Sequence, residues 1–217
     1  MPQQQMSDGS KAVLREGMRE RAYGQGYEPT TVDRFGVWLS ALQIRRWAGS
    51  MAGKRIADIG CGYQAAFVRT VLPQIERALL VDLALAADLK ASPKVTGIEG
   101  TLPEVLEQIP PASLDVVLCI SVLEHLWEPL PVLKHCRRIV RPGGICLFNV
   151  PSWRGKKFLE YSAFRLEVCA KHEMDDHKTY YDVKDLWPLL VGAGFLPSRI
   201  RCFPHKFGLN TFAVCTT

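Results

Sequence analysis

The stretch most able to do chemistry is Ile56-Ala57-Asp58-Ile59-Gly60-Cys61-Gly62-Tyr63-Gln64-Ala65, where a strand-like apolar run enters a glycine loop. Glycines at 60 and 62 permit a tight turn and let a ligand approach the backbone closely. The loop feeds a helix expected at about 65–72, whose first N–H groups lack intrahelical partners. Twenty residues beyond Gly62, at the end of the next apolar run, stands Asp82. A carboxylate there can accept both hydroxyls of a ribose. The spacing Gly60-x-Gly62-x-x-Ala65 satisfies the permissive dinucleotide fingerprint, so an NAD-dependent oxidoreductase is one reading.

Asp58 supports a different ligand. A buried anion two positions before the first glycine repels a diphosphate and suits a cationic group, such as the ammonium of an amino acid. S-adenosylmethionine carries an adenosine for Asp82 and an aminocarboxypropyl group for this loop. Two histidines stand apart from these residues. His125 is either a base or a structural histidine fixing the turn after an apolar run, and His177 is a candidate base or acceptor contact. His172, Asp176 and His177 raise the question of a metal. Two histidines five apart share a helical face poorly and the sequence offers no third strong ligand, so no metal is expected.

These residues need a scaffold, and the hydrophobic pattern describes one. Helical spacing is expected near 10–21 and at 31–48, where Phe35, Leu39 and Leu42 recur with Trp47 beyond them. Short apolar strands follow at 55–59, 78–82, 95–98, 114–119 and 145–150. Between the last two lies a helix near 131–140, with Val132, Leu133, Cys136, Ile139 and Val140 on one stripe. Its Lys134, Arg137, Arg138 and Arg141 are expected to face water or the helix C-terminus, and Pro142-Gly143-Gly144 to end it. A helix at 183–192 opens on Asp182 and contains Pro188, expected to kink it or shift its start. Final strands at 197–204 and 210–216 are joined so tightly that they must pair antiparallel. Strands alternating with helices imply an α/β fold with a mostly parallel sheet. About thirty residues, 151–182, exceed an ordinary connection and carry six aromatics, so they are expected to fold as a cap over the pocket.

Composition excludes several classes. The 217 residues suffice for one well-buried domain with an elaboration. The net charge of +5 is spread out, with no basic block that would mark a nucleic-acid arm. No apolar stretch approaches the length of a membrane span, and the polar first nine residues lack an apolar signal core. Seven widely spaced cysteines without a Cys-x-x-Cys pair read as reduced core residues, so a cytoplasmic protein is expected.

Asp58-Ile59-Gly60-Cys61-Gly62 resembles the first motif of the class I (Rossmann-like) S-adenosylmethionine-dependent methyltransferases. Leu114-Asp115-Val116-Val117-Leu118-Cys119 with Val122-Leu123-Glu124-His125-Leu126 is similar to the fourth strand and "LEHL" turn of their small-molecule branch. Arg138–Gly144 resembles the branch's next helix and turn, and His177–Tyr181 with Gly192-Ala193-Gly194-Phe195 its late segment. The matches run in order from about 50 to 195. The resemblance implies a seven-stranded, mostly parallel sheet with an antiparallel last strand, helices on both faces and a small cap insertion. Residues 1–50 would form N-terminal helices on the substrate side, and 51–217 the cofactor-binding domain. It further implies Asp58, Gly60, Cys61 and Gly62 at the amino-acid end, Asp82 and Leu83 at the ribose, and Glu99, Gly100 and Thr101 on the adenine side. Cys119, Ile120 and Ser121 would line the pocket near the methyl group. The family usually has a third glycine where this chain has Gln64, so the loop widens or Gln64 meets the ligand. It often has an acid where Thr101 stands.

The expected function is methyl transfer from S-adenosylmethionine, leaving S-adenosylhomocysteine, to oxygen, nitrogen or carbon of a small molecule. The protein's part in such a displacement is proximity, alignment and exclusion of water. Cys119-Ile120-Ser121-Val122 is not the Asn/Asp-Pro-Pro-Tyr type of amide and base methylation, and no Pro-Cys pair is present, so a nucleic-acid substrate is not expected. A module that binds the cofactor without turning over is the non-enzymatic alternative.

Overall fold

The apolar runs become strands whose residues alternate between the two faces of one sheet, both faces buried in its centre but not along the edge strand at 95–99. The computed structural model of the chain describes residues 21–158 and 176–217. The helix expected near 10–21 and residues 159–175 of the expected cap lie outside them. The first described helix, α1 (Thr31–Ala48), starts at a reciprocal cap: Asp33 N donates to Thr30 Oγ1 and Thr30 N donates to the Asp33 carboxylate. Then follow β1 (Arg55–Ile59), α2 (Ala66–Val71), β2 (Arg77–Asp82), α3 (Ala87–Ala91), β3 (Val95–Glu99), β4 (Leu114–Ile120), α4 (Pro129–Ile139) and β5 (Val140–Pro151). Residues 153–158 are helical, and α5 (Val183–Gly192), β6 (Ile200–His205) and β7 (Asn210–Thr216) close the described chain.

The strands form one sheet in the order β3-β2-β1-β4-β5-β7-β6. Pairings among β1 to β5 are parallel, while β7 is antiparallel to both β5 and β6. The strand order reverses between β1 and β4, the switch point where open α/β sheets leave a crevice. One face carries Ala57, Val117, Cys119, Phe148 and Val150 against α4 and α5. The other carries Ile56, Leu80, Leu118, Leu147 and Phe212 against α1, α2 and α3. Period-two alternation therefore puts Asp58, Asp82, Ile120 and Asn149 on the α1 face, at the carboxyl ends of their strands.

Several expectations shift in the details. The stripe of α1 that meets the sheet is Ser40, Ile44 and Ala48, while Phe35 and Leu42 are exposed. The apolar period of α1 thus marks two faces and not one core stripe. Helix α4 ends at Ile139 and β5 begins at Val140, so Pro142-Gly143-Gly144 lies past the helix end within β5, with Gly143 at φ +75° where the register with β4 shifts. Arg138 does not face water: its guanidinium donates to the carbonyls of Ile109 (2.6 Å) and Leu106 (2.7 Å), tying α4 to the preceding loop. Arg141 pairs with Asp115, which also accepts from Arg55 N at 2.7 Å. Helix α5 has the expected Asp182 cap with Asp185 and continues through Pro188. Residues Pro197–Arg199 form a short 3₁₀ turn ahead of β6. The six described cysteines are free thiols.

Phe148 is fully buried on the α4–α5 face with Phe195 edge-on at 6.1 Å. Truncation there, Phe148→Ala, is expected to lower unfolding free energy by about 3–5 kcal/mol, read by urea denaturation.

Candidate functional site

The loop after β1 is shaped by backbone that only glycine tolerates without strain. Gly60 has φ +69°, and a Cβ on it would overlap Val122 Cγ2 from the β4 exit. Gly62 has φ +72°, with Tyr23 O 3.2 Å from where its Cβ would sit. Tyr23 O also accepts from Tyr63 N at 2.9 Å, so the segment before α1 runs across the loop. Sequence reasoning missed Tyr23, whose neighbours carry no periodic signal. The helix that follows, α2, starts after Ala65, itself at φ +43°, and is only six residues long.

Asp82 closes the loop from the other side. Its two carboxylate oxygens accept from Gly62 N and Leu83 N, each at 2.7 Å. Asp58 lies one strand away, 6% exposed. Burial, with the Asp82 charge nearby, pushes its carboxyl up to about 7. The same burial and the same two carboxylates push the Cys61 thiol up, so it stays neutral and is no nucleophile. Gln64 turns to the surface: its carbonyl and amide oxygens accept from Arg69, which pairs with Asp88. Between this clamp and Tyr23 runs a largely apolar groove of about 180 Å³, bordered also by Cys61, Gly62 and Ala66.

Residues expected around the cofactor are only partly gathered. Glu99 is used structurally: it accepts from Leu85 N (2.7 Å) and Lys90 Nζ (3.0 Å), which hold its carboxyl below the ordinary range. Gly100 N donates to Asp82 O, and Thr101 is exposed beside Glu104. At the end of β4 the three expected residues separate. Cys119 packs into the α4–α5 core, Ile120 borders the α1-face core, and Ser121 sits exposed at φ +57° with its N–H donating to Asn149 O.

The two candidate histidines, 52 residues apart in sequence, meet with ring centroids 4.9 Å apart. His125 Nδ1 stands 3.0 Å from the Asp176 carboxylate, and His177 Nδ1 stands 3.1 Å from Tyr180 Oη. Buried Glu124 adjoins them, its carbonyl accepting from Lys178 N, and Tyr181 Oη donates to Leu123 O. One ligand atom each from Glu124, His125 and His177 lies within 4.8 Å of the others. Donors for a cation are thus assembled here, from a set different from the His172, Asp176 and His177 weighed in the sequence.

Residues 57–148 match the family model of the methyltransferase domain. The chain is 34% identical over 182 residues to a ubiquinone biosynthesis O-methyltransferase of Paraburkholderia phymatum, covering 76% of this chain and 78% of that protein. The chain belongs to the class I S-adenosylmethionine-dependent methyltransferases. It is also 35% identical over 111 residues to a probable S-adenosylmethionine-dependent methyltransferase of Mycolicibacterium smegmatis, covering 50% of this chain and 42% of that one. Most of the curated relatives it matches are spanned over about half their length. The same fold occurs in an Archaeoglobus fulgidus methyltransferase structure (TM-score 0.59, 16% identity), which spans 87% of this chain and 100% of that one. The family's cofactor is S-adenosylmethionine, and an acid at Asp58 with a loop-anchored Asp82 is a donor set of the right chemistry for it.

Asp58 binds its proton more tightly folded than unfolded, where the carboxyl has its ordinary value of 3.8. Its burial therefore costs nothing below that value, costs progressively more as pH rises to about 7, and levels off above. Asp58→Asn is expected to gain about 2–4 kcal/mol over the wild type between those limits. Denaturation of both proteins across the range checks it.

Proposed function

We propose that this methyltransferase transfers the methyl group of S-adenosylmethionine to an oxygen of a small-molecule acceptor. The observation that carries the reading is the buried Asp58 beside Asp82 at the glycine loop: a second anion in that position opposes a diphosphate and favours an ammonium. When bound, S-adenosylmethionine supplies an electrophilic methyl on sulfur, with S-adenosylhomocysteine as the leaving group. In this reading Asp58 faces the ammonium, and Asp82, fixed by Gly62 N and Leu83 N, turns its remaining lone pairs to the ribose hydroxyls. Cys61 and Gly62 line the amino-acid end beside Tyr23. Leu83, Gly100 and Thr101 border the nucleoside, with Glu99 acting through Leu85 and Lys90.

Ile120 and Ser121 flank the reacting centre through backbone at the β4 exit. His125, its Nδ1 held by Asp176, is the proposed proton acceptor, and His177 the proposed acceptor contact. Helix α1 supplies the substrate side and excludes water. Oxygen is favoured over nitrogen or carbon by the O-methyltransferase name of the relative of which the chain covers 78%. Among the described residues no helix is long and apolar enough to cross a membrane.

Calorimetric titration with S-adenosylhomocysteine, and with NAD in parallel, tests the cofactor. Binding of the first alone is expected, and binding of NAD alone overturns the reading. Loss of its carboxylate in Asp82→Ala should weaken S-adenosylhomocysteine binding by roughly 10–100-fold, as for charged hydrogen bonds of about 1.5–3 kcal/mol. Products heavier by one methylene, sought by mass spectrometry across phenols, amines and carbon acids, identify the acceptor atom.

A further inference from the structure

The turn after β4 is held against residues 176–181 through its own carbonyls. Leu123–His125 is a single 3₁₀ turn. Lys178 N donates to Glu124 O at 2.6 Å, and Tyr181 Oη, 58 residues along the chain, donates to Leu123 O at 3.3 Å. Tyr181 N in turn donates to Pro151 O at 2.9 Å, fixing the same segment to the end of β5. Two segments far apart in sequence therefore meet in a fixed register, and their side chains converge. Glu124, His125 and His177 each bring one ligand atom to within 4.8 Å of the other two.

The sequence reading lacked a third ligand beside the histidines, and Glu124 is that ligand. Two imidazoles and a carboxylate suit zinc and its neighbours better than magnesium or calcium. Ligand atoms about 2.1 Å from zinc stand about 3.4 Å apart in a tetrahedron, so the three must converge by about 1 Å, which small side-chain rotations cover. Each histidine has an outer partner on Nδ1: the Asp176 carboxylate at 3.0 Å for His125, and Tyr180 Oη at 3.1 Å for His177. Metal-bound imidazoles share that arrangement, because the outer partner fixes the ring and directs the lone pair of the other nitrogen to the ion. Glu124 is 2% exposed, and an ionised carboxylate that deep needs positive charge nearby. Lys206 is one source, and a divalent ion on the carboxylate itself is a stronger one. The His125 and Asp176 side chains are 16% and 18% exposed, so the cluster is sheltered yet reachable from solvent.

We propose that Glu124, His125 and His177 form a zinc site, with Asp176 and Tyr180 orienting the two imidazoles. Bound there, the ion joins the β4 exit to the 176–181 segment and keeps a fourth position for water. It also takes the Nε2 lone pair of His125 that the methyl-transfer reading above gives to the acceptor's proton. Ion and proton compete for one nitrogen, so the zinc-loaded protein is a braked form and the zinc-free protein the active one. The brake rests on the methyl-transfer reading, whereas binding of the ion does not.

The probe is Zn²⁺ alone, added to the chelator-stripped full chain in competition with a chromogenic chelator. Wild type should bind one ion per chain at micromolar concentration or below. Asp176→Asn, which removes no ligand, should weaken binding about 10–100-fold, and His125→Ala and His177→Ala should weaken it further. Thermal unfolding in the presence of chelator checks that each variant is folded. On addition of zinc the ring-nitrogen resonances of His125 and His177 should shift, while those of His135 and His205 stay. No binding by wild type, folded histidine variants that bind like wild type, or shifts confined to other histidines overturns the site. Co²⁺ in place of zinc should show no sulfur-to-metal charge-transfer band, since such a band puts the ion on cysteine and overturns the site as well. Zinc loading should slow turnover of the acceptor found by mass spectrometry by about 100-fold or more, the usual worth of a general base, and unchanged or faster turnover overturns the brake. Absence of S-adenosylhomocysteine binding by zinc-free wild type overturns the methyl-transfer reading instead, while the zinc measurements still decide the site.

Discussion

Burying Asp58 one strand away from Asp82 constrains everything else at the carboxyl edge. Two carboxylates this close repel one another, and the more deeply buried of them, Asp58, bears the larger desolvation cost. Burial first, and the Asp82 charge second, push the Asp58 carboxyl up to about 7. The neighbouring backbone answers part of this. Two N–H groups are spent on Asp82, and Gly60 N donates to Val81 O to hold the turn that presents them. A buried anion of this kind leaves a local charge imbalance that suits a positively charged ligand.

Neighbouring parts of the fold keep that imbalance intact. Val122 fills the space over Gly60, and Tyr23 crosses the loop at Gly62. Glu99 is drawn off to Leu85 and Lys90 and adds no third negative charge to the pair. Arg69 is likewise occupied by Gln64 and Asp88 on the outer side of the loop. The surface ion pairs therefore act mainly by holding loop shape, which suits their modest free energies in water.

The far end of the same face has the opposite problem. There the Asn149 amide, His205 Nε2 and Ser40 Oγ are buried without a hydrogen-bond partner among the described residues, and the buried contact of α1 is narrow. A helix that met the sheet through Ile44 and Ala48 alone would be served better by apolar neighbours.

The strands, their order of appearance and the glycine loop were legible in the residues, because period-two alternation and turn glycines are local signals. Asp58 and Asp82 were legible for the same reason: each sits at the end of an apolar run, where the chain must leave a sheet. The family motifs added the sheet's direction and the cofactor. Tertiary structure alone decided which side of α1 is buried, since Phe35 and Leu42 obey a helical period equally well facing solvent. It decided that Glu99 and Arg138 anchor loops, that Cys119 points away from the site, and that Tyr23 crosses the glycine loop. It also joined Glu124 and His125 to His177, set His205 against Phe212 beside Asn149, and brought Lys206 to Gly36 of α1. Those groupings depend on strand register and on contacts between segments 50 or more residues apart, and free energies of that kind leave no trace in local spacing.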